Sequence, residues 1–305
     1  MRARLLRILA WLVTGGLLLF LFRRIPFGEV VATARGAAGW GIPVAVALTA
    51  VIYVCDTYAI WKTFGWFVAR MSFADVLRVR GATYLFAAIN YNVGQGAIVY
   101  FVHRTTGAPV MRGIGTILLV MGINVLALLF LATIGLAAAP EVPHAVPLTL
   151  AVAYLGLAVY IVLLLLRPAW LVKRPLFDVL LGAGIGGHLR ALAVRVPHVA
   201  MLYLLQICLF RAFHLNIPIG VVVSALPIVF LIAGLPISVQ GLGTSQAAMI
   251  YFFARYAPGD RQAQQAALLA ASLAGQTLVF VVQALIGLVC MQSQVGRSVG
   301  NRIPD

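Results

Sequence analysis

Acidic residues are scarce in this chain. Only 7 of its 305 residues are Asp or Glu, and charged residues of both signs make up 10% of the sequence, whereas soluble domains carry roughly 25%. So few carboxylates leave no convincing acidic pair for general acid–base catalysis. A chain that is 63% hydrophobic and this poor in charge does not fit the class of soluble globular proteins.

Motifs for metal and nucleotide sites are also missing. The five histidines lie far apart, with no HExxH or cysteine-paired spacing, and no glycine-rich loop ends in Lys-Ser or Lys-Thr. Cys55, Cys208 and Cys290 each stand in an apolar stretch without paired spacing, which is typical of small core residues and not of a disulfide framework. We therefore expect no metal, no cofactor and no enzymatic activity, although a metal-free membrane enzyme stays open.

Basic residues outnumber acidic ones and give a net charge of +15. They are scattered singly beside apolar stretches, without the clustered polar and aromatic neighbours of a nucleic-acid surface. We interpret them as cytoplasmic anchors and as contacts to anionic lipid headgroups, each worth about 1 kcal/mol near such a surface. Nucleic acid is not expected as a partner.

Long apolar runs predict a polytopic membrane protein. Runs of about 17 to 25 residues can cross a bilayer as helices, and six are present, at about 5–22, 40–61, 113–137, 147–166, 197–215 and 263–290. The first is followed by Arg23-Arg24 instead of a small-residue cleavage site, which argues against a cleaved signal peptide. We expect one all-α membrane domain over 1–305, with a short cytoplasmic tail at 291–305.

The loops indicate the orientation of the chain. The connection "AAPEVPHAV" at 138–146 has Glu141 and no Lys or Arg, which predicts an external loop. Basic residues mark the cytoplasmic segments, namely Arg104, Arg112, Arg167, Lys173, Arg174, Arg190 and Arg195. Both termini then lie in the cytoplasm, while Arg23-Arg24 and Arg255/Arg261 fall outside, against the positive-inside rule.

Two further apolar segments, at about 73–105 and 218–257, are interrupted by Gly and polar residues. The first contains "INYNVGQGAIVYF" and the second "GLPISVQGLGTSQAAMIYFFARY", so that Gln-Gly precedes an apolar run to Tyr-Phe in both. With the topology above they become opposed re-entrant hairpins in two inverted halves, about 1–137 and 147–290, as transporters use to build a central binding site. The alternative, packing glycines in ordinary tilted spans, stays open.

The breaks supply the first candidates for substrate binding. A helix that stops within hydrocarbon strands N–H and C=O groups that protein, water or a ligand must satisfy. We expect a headgroup to meet the polar residues there, with its tails in lipid: Asn90, Asn92, Gln95, Ser238, Gln240, Thr244 and Gln246.

Charged residues supply the remaining candidates. Arg104, with Arg78 and Arg80, flanks the first break, where a phosphate could meet the N–H groups of a helix that opens after Gly96; surface anchoring is the alternative. Asp56 and Arg211 are the clearest charges inside apolar spans, each costing about 2.5–3.5 kcal/mol near a helix centre. We include Asp56 and Arg211 in the substrate path, although Arg211 can also snorkel to the interface.

The two breaks resemble those of the flippase-like membrane family, also called the lysylphosphatidylglycerol synthase transmembrane family. The similar motifs are Asn90 to Gly96, "NYNVGQG", and Leu235 to Gly243, "LPISVQGLG". The resemblance covers about residues 5 to 290, and it implies paired re-entrant helices and movement of lipids or lipid-linked molecules between leaflets. Synthases of that family carry a soluble catalytic domain after the membrane domain, so we expect a stand-alone membrane domain in this chain, which ends at Asp305.

This chain departs from the family pattern in charge. Many members have Glu where this chain has Gln95 and an acidic residue where it has Gln246. The next span, which often carries a charged set in relatives, offers only Asn124, and the last span offers Ser272 and Gln276 where an Arg is common. These neutral replacements weaken the case for a strongly ionic headgroup and leave a weakly charged or neutral lipid open.

The leading functional hypothesis is a lipid flippase or transporter that is passive or ion-coupled, because no ATPase motif is present. It would lie in the bacterial cytoplasmic (inner) membrane, with lipids as partners and a homo-oligomer left open. Two alternatives remain: a membrane-embedded enzyme that modifies a lipid or glycan, and a non-catalytic scaffold for lipid-biosynthesis enzymes.

Overall fold

The computed structural model describes residues 27–87, 91–138, 145–234, 238 and 241–300, and all regular structure in these ranges is helical. The helices are α1 Phe27–Arg35, α2 Gly41–Phe67, α3 Phe73–Ala87, α4 Tyr91–Thr106, α5 Val110–Ala138, α6 Ala145–Leu166, α7 Ala169–Val172, α8 Pro175–Gly182, α9 Gly184–Ala212, α10 Ile219–Gly234, α11 Thr244–Phe253 and α12 Arg261–Gly300, with a 3₁₀ turn at Ala254–Tyr256. The predicted span at 5–22 lies outside the described residues.

Five helices in the described ranges, α2, α5, α6, α9 and α12, are long and apolar enough to cross a membrane. They confirm the prediction of an α-helical membrane protein. Three helices extend beyond the predicted spans: α2 continues to Phe67 instead of ending near 61, α9 starts at Gly184 instead of near 197, and α12 continues to Gly300 instead of ending near 290. The hydrogen bonds of a helix form between backbone groups, so a helix can include charged residues. α2 therefore continues past Lys62, and α9 begins before Arg190 and Arg195.

The described chain divides into two compact units. Unit 1 comprises residues 1–48, 130–150 and 203–280, and unit 2 comprises residues 49–129, 151–202 and 281–305. Each of the five long helices begins in one unit and ends in the other, and the direction alternates along the chain. The short helices α3 and α4 belong wholly to unit 2, while α10 and α11 belong wholly to unit 1.

The first interrupted segment consists of α3 and α4, which pack against each other within unit 2. Their shared core includes Val76 and Val102, and the rings of Phe86 and Phe101 lie 6.3 Å apart. A methyl group added at Gly94 would lie 2.6 Å from the Cβ atom of Ala87, so only glycine permits this approach. The helices therefore meet closely next to the break.

Most of the polar residues that were expected to interrupt the first segment are helical. We expected an unwound stretch through Gly96 and a helix after it, but α4 already begins at Tyr91, which makes Asn92 to Gly96 helical. No helix N-terminus follows Gly96, so the expected phosphate contact there is wrong. Asn92 to Gly96 belong to α4, whose backbone hydrogen bonds include them. Polar side chains alone therefore do not end this helix.

The second interrupted segment consists of α10 and α11 within unit 1. Gly241 has φ +74°, a left-handed conformation that favours glycine, and a methyl group there would lie 2.8 Å from the Cα atom of Ala233. In both segments, a glycine that lies in the second helix or just before it thus packs against an alanine of the first helix. In the first segment this glycine is Gly94 and not Gly96, which has open space around its Cα atom.

Candidate functional site

Asp56 forms the centre of a buried charged cluster in unit 2. It is 3% exposed and lies near the middle of α2, eleven residues before the helix ends at Phe67. Asp56 is the only acidic residue in the five candidate membrane spans. A lone carboxylate in such a position requires partners, because an isolated charge in hydrocarbon costs several kcal/mol.

Two arginines share the carboxylate of Asp56. Arg80 of α3 donates from Nε to Oδ2 of Asp56 at 2.5 Å, and Arg195 of α9 donates from a terminal guanidinium nitrogen to Oδ1. Arg80 is 8% exposed and Arg195 is 6% exposed. One buried carboxylate thus joins α2, α3 and α9.

Further polar groups hold each arginine in place. Arg80 also donates to the Thr83 hydroxyl at 3.2 Å, and its guanidinium lies 4.5 Å from the centroid of the Tyr84 ring, a cation–π distance. Arg195 donates from Nε to the side-chain oxygen of Asn124 in α5 at 3.1 Å. These contacts orient both guanidinium groups toward Asp56.

A histidine completes the cluster. His198 lies one helical turn after Arg195 and is 7% exposed. Its Nδ1 atom is 3.8 Å from Oδ1 of Asp56 and 3.4 Å from the carbonyl oxygen of Ile52. With His198 neutral, two positive charges and one negative charge meet here, so the cluster has one excess positive charge among the described residues.

Each arginine also borders a narrow apolar cleft within unit 2. Arg80 borders one cleft, and Arg195 borders another. Neither space is large enough to hold a water molecule. The lining residues are Ile60, Phe64, Met71, Val76, Val79, Ile98 and Val102 in the first cleft, and Ala59, Thr63, Val120, Ile123 and Ala191 in the second.

A second, neutral polar group lies in unit 1 at the start of α11. Gln246 is fully buried; its side-chain oxygen accepts the N–H of Gly243 at 2.6 Å, and its amide nitrogen donates to the side-chain oxygen of Gln276 at 2.7 Å. The Ser238 and Thr244 hydroxyls are 2.9 Å apart. Gln246 thus caps the first turn of α11, as a Glu or Gln in the third helical position commonly does.

The other predicted site residues are dispersed. Gln95 is buried in α4, and Asn92 is exposed on the same helix. Arg104 is exposed in the last turn of α4 and donates to the Tyr100 hydroxyl at 3.3 Å. Arg211 is exposed in the last turn of α9 and donates to the Asn216 side chain, a position where the helix dipole favours a cation. Asn90 and Gln240 lie outside the described residues.

Sequence reasoning missed Arg195, Asn124 and His198 as members of the cluster. Arg195 served as a cytoplasmic marker, but its buried side chain is no surface anchor, because α9 starts eleven residues earlier and places Arg195 inside the helix. Arg80 is buried, unlike its neighbour Arg78, which is half-buried and donates to Asp75 at 3.0 Å. The available signal was the three-residue spacing of Arg195 and His198, which puts both on one helix face.

No protein-family model matches this chain, and no curated protein matches it. The similarity to the flippase-like family consequently stays a prediction that depends on the two break motifs.

Proposed function

We propose that this protein moves a lipid or a lipid-linked molecule between the two leaflets of a membrane. The observation that carries the proposal is the pair of interrupted apolar segments, α3–α4 and α10–α11. Their helices have 15, 16, 16 and 10 residues, which correspond to about 15–24 Å at 1.5 Å per residue. Since the hydrocarbon core is about 30 Å thick, each helix is short for a full crossing.

The sequence pattern predicts opposed orientations for the two segments. The five long helices alternate in the direction in which they pass from one unit to the other, and each unit contains one interrupted segment. Short helices in corresponding places of inversely oriented halves are a feature by which transporters form a substrate site within the bilayer. We also propose that α3–α4 and α10–α11 are re-entrant hairpins.

The buried charged cluster supports a polar substrate group within the membrane. Ionisable residues at membrane depth generally mark a substrate or ion pathway. Arg80 ties the cluster to α3, the first helix of an interrupted segment, through the carboxylate of Asp56. The buried cluster and the first interrupted segment are thus connected by a direct contact.

A flip assay tests the proposal. Purified protein is reconstituted into liposomes with lipids that carry a fluorophore on the headgroup, and a membrane-impermeant reductant is added outside. A transporter brings inner-leaflet label to the outside, so the protected fluorescence falls below that of protein-free liposomes. Equal protection with and without protein, across phospholipids and a polyprenyl-linked sugar, would contradict the proposal.

Product analysis in detergent separates transport from enzymatic turnover. Leaflets do not exist in detergent micelles, so a transporter leaves the lipid chemically unchanged there. Conversion of the lipid by the protein in micelles would instead favour a membrane enzyme.

A further inference from the structure

Arg195 and His198 face the same carboxylate oxygen. They lie three residues apart in α9 and therefore on one face of that helix. A terminal guanidinium nitrogen of Arg195 donates to Oδ1 of Asp56, and Nδ1 of His198 lies 3.8 Å from the same Oδ1 atom. Since a charge-assisted hydrogen bond measures about 2.7–2.9 Å, a movement of about 1 Å brings the imidazole into contact with Asp56.

The hydrogen bond to Ile52 determines which nitrogen of His198 can take up a proton. Nδ1 lies 3.4 Å from the carbonyl oxygen of Ile52. A carbonyl oxygen only accepts, so Nδ1 carries the hydrogen of the neutral ring and Nε2 is the atom that binds a further proton. A protonated His198 would add a third positive charge around one carboxylate, and this arrangement is unfavourable while Arg195 stays bound.

We propose that His198 binds a proton that displaces Arg195 from Asp56, and that lipid movement depends on this exchange. The exchange deepens the proposed function and rests on it, because it makes transport dependent on a proton. The proton binds to Nε2, and Oδ1 of Asp56 accepts from the imidazolium instead of from Arg195. Asn124 keeps Arg195 nearby, because its side-chain oxygen accepts from Nε at 3.1 Å. Loss of the proton reverses the exchange.

The groups around the imidazole make His198 the site of protonation. The charged ones are Asp56, Arg80 and Arg195, and arginine does not lose its proton in proteins. The titratable neighbours of these charges are Tyr53 and Cys55 of α2, Tyr84 of α3, Tyr91 of α4 and Cys290 of α12. Tyrosine and cysteine side chains are uncharged at acidic pH, whereas histidine ordinarily changes its charge between about pH 5 and 8.

The position of the exchange in α9 allows it to act on the helix. Pro197 lies between Arg195 and His198, and proline has no N–H for the carbonyl four residues earlier, so helices bend at this residue type. The clefts beside Arg80 and Arg195 have no space for a water molecule, and charges interact strongly in such a dry environment. A change of partner at Asp56 therefore alters the contact between α2 and α9 next to the point where α9 can bend.

Proton binding is measured in detergent, where no leaflets exist. The full chain is labelled with [15N]histidine, NMR reports the protonated fraction of each imidazole, and the signal that His198→Gln removes is assigned to His198. We expect Arg195→Gln to raise the ratio of protonated to neutral His198 by about tenfold, because it removes a positive charge that competes for the same oxygen. Arg195→Lys keeps that charge and has a smaller effect, and it keeps the test informative if Arg195→Gln does not fold.

The flip assay is then repeated with the same pH on both sides of the liposome membrane. We expect the wild type to move lipid several-fold faster at about pH 5.5 than at about pH 7.5, and His198→Gln to lose this dependence. His188→Gln is the matched control and retains it. His188 is also buried in α9, but its ring contacts the Tyr160 hydroxyl at 2.7 Å instead of Asp56.

Two results would overturn the inference: a His198 that stays neutral down to about pH 5 even in Arg195→Gln, or equal pH dependence of flipping in His198→Gln and His188→Gln. Proton binding in detergent does not require transport. Protonation of His198 that responds to Arg195→Gln, without flipping at any pH, contradicts only the proposed function. Flipping at a rate that does not change with pH contradicts only the proton exchange.

Discussion

At the scale of single residues, Asp56 supplies the one negative charge of the buried cluster in unit 2. Its carboxylate is the acceptor for Arg80 and Arg195, which come from two later helices of the chain, α3 and α9. Removing one partner of a buried ion pair typically costs about 3–5 kcal/mol, because the remaining charge stays buried without compensation. Here the carboxylate accepts hydrogen bonds from two arginines, so its removal leaves both guanidinium charges buried without their acidic partner.

We predict that Asp56→Asn destabilises the protein by about 3–5 kcal/mol. The amide oxygen still accepts a hydrogen bond, but two positive charges then lie together without a carboxylate. The measurement is the free energy of unfolding in detergent.

Asp75→Asn is the matched control for that variant. Asp75 pairs with Arg78 in a partly exposed position, where ion pairs typically contribute less than about 1 kcal/mol. Similar losses in the two variants would show that the Asp56 cluster contributes no more than a partly exposed ion pair.

The sequence predicted Asp56 but not its surroundings. A carboxylate within an apolar run can be recognised from the sequence alone. Its partners Arg80 and Arg195 cannot, because they are 24 and 139 residues away. Their pairing depends on how α2, α3 and α9 pack, and hydropathy carries no such information. Gln246 was predicted from its place after a break, and its bond to Gln276 likewise depends on packing.

At the scale of secondary structure elements, close approach beside each break depends on one glycine. Gly94 lies against Ala87, and Gly241 lies against Ala233. The sequence predicted two interrupted segments, and the structure has a pair of short helices in each. It did not predict that Asn92 to Gly96 are helical, because asparagine and glutamine side chains are compatible with a helix as well as with a loop.

We predict that Gly94→Ala destabilises the protein by about 1–3 kcal/mol, the usual cost of overpacking. Its methyl group would lie 2.9 Å from the Cα atom of Ala87, which belongs to the backbone and cannot rotate away. Thermal unfolding in detergent and the flip assay measure the effect.

Gly96→Ala provides the comparison for Gly94→Ala. No atom lies within 4 Å of the added methyl group, and alanine favours a helix over glycine by roughly 0.5–1 kcal/mol. We expect unchanged or slightly higher stability. If both variants behave alike, the contact of Gly94 with Ala87 does not determine the packing of α3 and α4.

At the scale of the whole molecule, the alternating path of the long helices assigns each interrupted segment to one unit. α3 and α4 lie between α2, which ends in unit 2, and α5, which begins there. α10 and α11 lie between α9, which ends in unit 1, and α12, which begins there. Hydropathy predicted the number of long helices within the described ranges, but the division of each long helix between two units follows only from three-dimensional contacts.

We predict that positions 104 and 255 are accessible from opposite sides of the membrane. Arg104 is exposed at the end of α4 in unit 2, and Arg255 is exposed after α11 in unit 1. Single cysteines are introduced there after replacement of the three native cysteines, and intact cells and inverted vesicles are treated with an impermeant maleimide. Cys at 104 and Cys at 255 should react in different preparations.

Lys173→Cys is the reference for the labelling experiment. Lys173 is exposed and belongs to unit 2, like Arg104, so both should react from the same side. Labelling of positions 104 and 255 from one side would rule out opposed hairpins, whatever the result of the flip assay.

The sequence spacing of the Asp56 cluster also affects biogenesis. Domains of a chain form from the N-terminal side during synthesis, so Asp56 and Arg80 reach the membrane first, 24 residues apart. A pair of opposite charges is neutral, and a neutral pair costs less to place in lipid than either charge alone. Arg195 follows 139 residues after Asp56, when Asn124 of α5 has already been made. The cluster thus reaches its excess positive charge only after both acceptors for Arg195, Asp56 and Asn124, have been made.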